Sequence, residues 1–214
     1  RFKQAGDGSV TEKLVQVKNQ PVQVFVPSAD LGRGWTKQNF DANAWQQGMN
    51  GVGYEERPGE FDDLIATRIV SQKGRHPQSV YVRIPFEVKN PKDYSELALY
   101  MRYDDGFVAY LNGSQMASQH APSPLLWNSG ATKQRSDRDV IKPELFKVGR
   151  SLRNLKPGMN VLAIQVLNDS QGSPNDSNTG SRSTDLLIVP ELVALRIDNE
   201  LPDEAKPRKY SPAD

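Results

Sequence analysis

Apolar and polar residues alternate along much of this chain with a period of two, the mark of half-buried β-strands. The alternation begins at residues 13–18 (KLVQVK) and 22–26 (VQVFV), bordered by Pro21 and Pro27. A residue without an N–H belongs at such borders rather than inside a central ladder. Residues 80–88 (VYVRIPFEV) and 97–103 (LALYMRY) are strong β runs, rich in branched and aromatic side chains. Asp104-Asp105-Gly106 reads as a turn, and 107–111 (FVAYL) resumes the strand. Asn112-Gly113 is a hairpin signal, because both residues tolerate positive φ, and 114–117 is the return strand. The turn at 155–158 (LKPG) launches 159–167 (MNVLAIQVL), a buried central strand. Residues 186–197 form a last long strand, interrupted at Pro190. Weaker patterns give a short strand at 64–70, a helical turn at 143–146, and another at 41–45 with Asp41 as its cap.

Long loops separate these runs. Residues 32–53 carry Trp35, Phe40 and Trp45 among glycines, residues 121–138 carry Trp127, and residues 168–185 are rich in Ser, Asn, Asp and Gly. With about eight to ten strands and no internal repeat, the pattern predicts an all-β, antiparallel jelly-roll β-sandwich with long loops. The domain is expected over 13–197, with an N-terminal extension at 1–12 and a C-terminal tail or linker at 198–214.

Composition narrows the function. The 16 Gly and 15 Pro suit many short strands joined by turns. Lys and Arg number 27 against 26 Asp and Glu, so no field of one sign draws in a polyanion, and nucleic acid is not an expected partner. No apolar run reaches the about 18 residues of a membrane span. Residues 1–8 are polar, with neither an initiator Met nor a signal-peptide pattern, compatible with a mature, processed or excised chain. The absence of cysteine removes thiol nucleophiles, zinc–thiolate sites and disulfides. Two histidines without HExxH spacing, no G-x-S-x-G, and no carboxylate pair singled out by the sequence leave little for catalysis. A non-catalytic chain is expected.

Two signals occur in tandem: D-x-x-x-x-Y-x-N-G from Asp105 to Gly113, and L-x-x-G-x-N-x-L-A-x-x-V from Leu155 to Val166. Around them, in order, stand Trp35…Phe40-Asp41…Trp45, Gly51-Val52-Gly53-Tyr54, VYVRIPFEV, Trp127-Asn128 and TDLLIVPEL. This arrangement resembles the galactose-binding-like jelly-roll modules of large exported bacterial proteins, the type found beside lamin-tail-like and spore-coat-H-like domains. The resemblance implies an exported, extracytoplasmic module that binds carbohydrate or a cell-surface polymer; a structural or protein-interaction role in a larger assembly is the alternative. The loop at 168–183 is longer than that resemblance leads one to expect.

The candidate residues lie in the loops. Sugar rings stack on aromatic faces, so Trp127 beside Asn128 is the first ligand-binding candidate, joined by Tyr54 and Asp105. Trp35 and Trp45 read as aromatic plugs buried at one end of the sandwich. Asp104 and Asp105 either ligate Ca²⁺, a hard cation that takes oxygen ligands, or act as turn formers accepting backbone N–H bonds. Asp62 and Asp63, in a second acidic loop, are the other calcium candidates.

Overall fold

The computed structural model describes residues 9–56, 61–70, 76–169 and 183–197. Two sheets pack face to face as an all-β jelly-roll sandwich. In the first, β7 (Tyr94–Asp104) lies between β10 (Glu144–Lys147) and β12 (Asp185–Ile197). The far edge of β12 is shared by β4 (Val52–Glu55) at one end and β1 (Ser9–Val15) at the other. The short β5 (Thr67–Arg68) adds to β4 in parallel. In the second sheet the order is β3 (Gln46–Met49), β2 (Pro21–Phe25), β6 (Ser79–Val88), β11 (Gly158–Leu167), β8 (Gly106–Leu111) and β9 (Ser114–Gln119).

Strand parity builds the core. Val80, Val82, Ile84 and Phe86 of β6, with Leu162, Ile164 and Val166 of β11, face Leu97, Leu99 and Met101 of β7 and Leu186 and Ile188 of β12. The opposite parity is also buried. Tyr81, Val108, Tyr110, Ala163 and Leu167 form a second apolar cluster with Trp35 and Trp45 on the outward face of the second sheet. A third, of Phe61, Val140, Leu187 and Val189, covers part of the first sheet. Burial of both faces is why VYVRI and FVAYL read as nearly continuous apolar runs.

Several expectations shift. The hairpin is as expected: Leu111 pairs with Ser114 across Asn112 (φ 51) and Gly113 (φ 90). Strand β12 runs unbroken through Pro190, because Pro190 falls in the gap between β4 and β1. There Asn50 donates to its carbonyl at 2.8 Å, so the missing N–H costs no ladder bond. Residues 144–147 are not a helical turn but an edge strand on β7, whose open edge supplies backbone partners that no local pattern announces. Residues 41–45 form a non-helical turn, in which Asp41 accepts the Asn43 N–H at 2.9 Å, and the 3₁₀ turn lies earlier, at Gly34–Thr36. The loop expected over 32–53 contains β3 and the start of β4, and the strand expected over 64–70 shrinks to Thr67–Arg68. β1 begins at Ser9, inside the segment expected as an extension, since pairing with β12 orders it despite its polar sequence. The expected tail at 198–214, residues 1–8 and most of the Ser/Asn-rich loop lie outside the described residues.

Candidate functional site

The outward face of the second sheet is roofed by two loops, and polar side chains rising from the strands hold each one. Arg83 of β6, 4% exposed, donates to the carbonyls of Trp35, Lys37 (2.9 Å) and Phe40 (3.4 Å), and its guanidinium lies over the Phe40 ring. Burial lowers its pKa. Gln165 of β11 donates to the Leu126 carbonyl at 2.8 Å, and the Ser79 hydroxyl donates to the Ser129 carbonyl at 2.6 Å, which fixes the second loop. The Tyr81 hydroxyl donates to the Trp127 carbonyl at 3.4 Å. Aromatic rings fill the space beneath the first loop. Trp35 lies flat on Tyr81, with centroids 4.1 Å apart, and meets Tyr110 edge-on, while Trp45 stacks on Phe25.

Between the two loops opens a cavity of about 150 Å³, lined by Trp35, Tyr81, Tyr110 and Trp127, with Asp30 and Arg33 contributed by the turn around Gly32. Burial pushes the Tyr81 hydroxyl up to about 12, and the Asp30 charge adds to this. Tyr110 is also raised by burial, with Arg33 acting in the opposite direction. One acidic and one basic side chain thus act on the cavity's two phenols.

Of the residues singled out in the sequence, Trp127 lines this cavity and is half-buried; Asn128, its neighbour, is half-buried but outside the lining. Tyr54 is elsewhere and 4% exposed. Its hydroxyl donates to the Ser183 carbonyl at 3.1 Å and accepts from Asn168 at 2.7 Å, and its ring stacks on His76. The parity of β4 turns Tyr54 into the core between the sheets, away from the cavity. Trp35 and Trp45 are buried as expected, but they cover the face of a sheet rather than an end of the sandwich. Asp30, Arg33, Tyr81 and Tyr110 are among the lining residues that the sequence did not single out. Both tyrosines occupy the outward parity of strands whose inward parity is apolar, a distinction that needs the core to be known first.

Asp104 and Asp105 form a buried pair at the β7–β8 turn, across a cis peptide bond. Asp105 accepts the Arg135 N–H at 2.8 Å, and its carbonyl bonds the His120 ring at 2.7 Å. Asp104 Oδ2 has no hydrogen-bond partner. Burial, followed by the charge of Asp105, pushes Asp104 up to about 9, so the pair holds a proton at neutral pH. Among the described residues no three His, Asp or Glu side chains converge as a metal site. Asp62 is ion-paired with Arg68, and Asp63 is exposed beside it on the 3₁₀ turn Asp62–Leu64. Asp105, expected to bind ligand as well, is 3% exposed and outside the cavity lining.

No family model and no curated protein matches this chain. Solved structures do. A β-glucuronidase from an uncultured Clostridium species superposes over 92% of this chain with a TM-score of 0.54 and 13% identity. The fold is that of one part of this larger protein. A Ruminococcus gnavus β-glucuronidase matches more loosely over 91% of the chain, with a TM-score of 0.48 and 12% identity. The chain spans 31% of the first structure's length and 30% of the second's. At such identity the likeness is one of fold.

Proposed function

We propose that this chain is a non-catalytic, exported carbohydrate-binding module, and that its ligand enters the cavity between the Trp35 and Trp127 loops. The observation that carries the reading is the cavity itself, in which aromatic rings are framed by Asp30 and Arg33. The apolar C–H face of a sugar packs on Trp127, which is half-buried and the least enclosed of these rings, while its hydroxyls need the donors and acceptors beside it. Asp30 is the one carboxylate in the lining, whereas glycoside hydrolysis commonly uses two flanking the bond, which favours binding over cleavage. The shared fold of a β-glucuronidase, a protein named for acting on a sugar conjugate, is compatible with that reading.

A glycan array followed by calorimetric titration tests it. We expect at least one glycan to bind, and Trp127→Ala to weaken it by about tenfold or more, the scale of a lost aromatic anchor. Absence of binding to every glycan overturns the proposal.

The alternative, a structural or interaction domain in a larger assembly, draws on a different feature. An apolar hollow of about 300 Å³ at Phe25, Trp45, Ile69 and Val70 leaves Val70 77% exposed. Co-purification of a partner that Val70→Asp abolishes, with glycan binding absent, selects this reading.

A further inference from the structure

The size and charge of the cavity say more than that a sugar binds. We infer that the cavity takes a single pyranose ring of a neutral sugar, presented at a chain end, and discriminates against uronates and polymer interiors. This rests on the carbohydrate reading of the same cavity.

Volume sets the first limit. The cavity's volume is about 150 Å³. It is half the lower end, about 300 Å³, of pockets that take drug-sized ligands. One ring fills the lined space, and a second linked ring lies outside it. The floor is closed by Trp35, Tyr81 and Tyr110, each at most 3% exposed, and the two loops wall it. An internal sugar needs room for a glycosidic link at each end, whereas a terminal one needs room for a single link.

Charge sets the second limit. Asp30 and Arg33 stand two positions from Gly32 and one position from it, respectively, and bring one charge of each sign to the lining. Asp30 accepts the Gly32 N–H through Oδ1 at 2.7 Å, which leaves its other oxygen for a ligand hydroxyl. The Arg33 guanidinium makes no ion pair or hydrogen bond with any described residue, and neither does the Tyr110 hydroxyl. A carboxylate acceptor, a guanidinium donor and a phenol that does both match the hydroxyls of a neutral sugar, each of which donates and accepts. A uronate carboxylate gains from Arg33 and loses to Asp30, so no net charge attracts it.

The test is calorimetric titration of the 214-residue chain with methyl glycosides of glucose, galactose, mannose and N-acetylglucosamine, and with glucuronic acid. Oligosaccharides of two to six units of whichever sugar binds follow. We expect affinity to change by less than about threefold from one unit to six, and glucuronic acid to bind at least about tenfold more weakly than its neutral counterpart. Asp30→Asn and Arg33→Met, both at exposed positions, are each expected to weaken the neutral sugar by about tenfold. Affinity that climbs tenfold or more with chain length, or a preference for glucuronic acid, overturns the inference while leaving the carbohydrate reading standing. Absence of heat with every saccharide overturns both.

Discussion

The side chain of Asn112 donates to that of Asn160 at 2.7 Å, joining the turn after β8 to the start of β11. Asn112 also donates to the Asn154 carbonyl and accepts the Val161 N–H, while Asn160 accepts the Lys156 N–H and donates to the carbonyls of Lys156 and Gly158. The two motifs that stand about 45 residues apart in the chain are therefore one hydrogen-bonded unit, with every polar atom of both amides partnered. Asn160→Ala leaves the Lys156 N–H and one amide hydrogen of Asn112 without their partners at a buried position. We expect a loss of about 2–3 kcal/mol in urea unfolding, and a double variant with Asn112→Ala that costs less than the sum of the two.

Arg83→Met removes the cation beneath the first loop while keeping most of its volume. Three carbonyls lose their donor, so Trp35 and Phe40 lose their anchor. The expected result is a red-shifted tryptophan emission and a loss of about 2 kcal/mol or more, together with weakened glycan binding. Unchanged emission and binding would show that ring packing alone holds the loop.

Stability should fall as pH rises, on account of Asp104. Its folded-state value, about 9, lies above the ordinary 3.8. Between those values the folded chain binds more protons than the unfolded one, so unfolding becomes easier with each increment of pH, up to about 9. Asp104→Asn keeps the shape without the charge and should flatten this slope in thermal melts taken from pH 5 to 9. A slope that persists in the variant assigns it to other groups.

Gly53 of β4 pairs with Leu187, and a Cβ there would stand 2.0 Å from the Leu186 carbonyl oxygen. Backbone cannot yield as a side chain does, so Gly53→Ala should displace β4 from β12. We expect a loss of about 3 kcal/mol or more, read as a lower melting temperature, with the cavity between the two loops and its binding unaffected.

The sandwich was legible in the sequence because strands buried on both faces leave dense apolar runs, as at VYVRI and MNVLAIQVL, and because Asn112-Gly113 has little choice but to turn. The strand Glu144–Lys147 was not legible, since what orders it is the free edge of β7, a partner more than 40 positions away. β3, with sequence QQGM, lacks alternation for the same reason. At the site, Trp127 stood out as a loop aromatic. Tyr81 and Tyr110 did not, because only the strand parity, fixed once the core is known, separates an outward tyrosine from an inward one. Tyr54, whose Gly-rich surroundings suggested a loop, lies on β4, and Gly53 beside it permits the close approach of β12.

The pairing of β1 with β12 matters once the module is under tension. Ser9 lies opposite Ile197, so the first and last described residues sit side by side at one end of an antiparallel ladder. A load applied through both ends pulls the strands apart like a zip, meeting the hydrogen bonds one at a time rather than shearing them together. β1 is then the first element to peel, because β12 is also held by β7 and β4. Peeling β1 also uncovers Leu14 and Val15, which share the core between the sheets with Val80 and Val82 of β6.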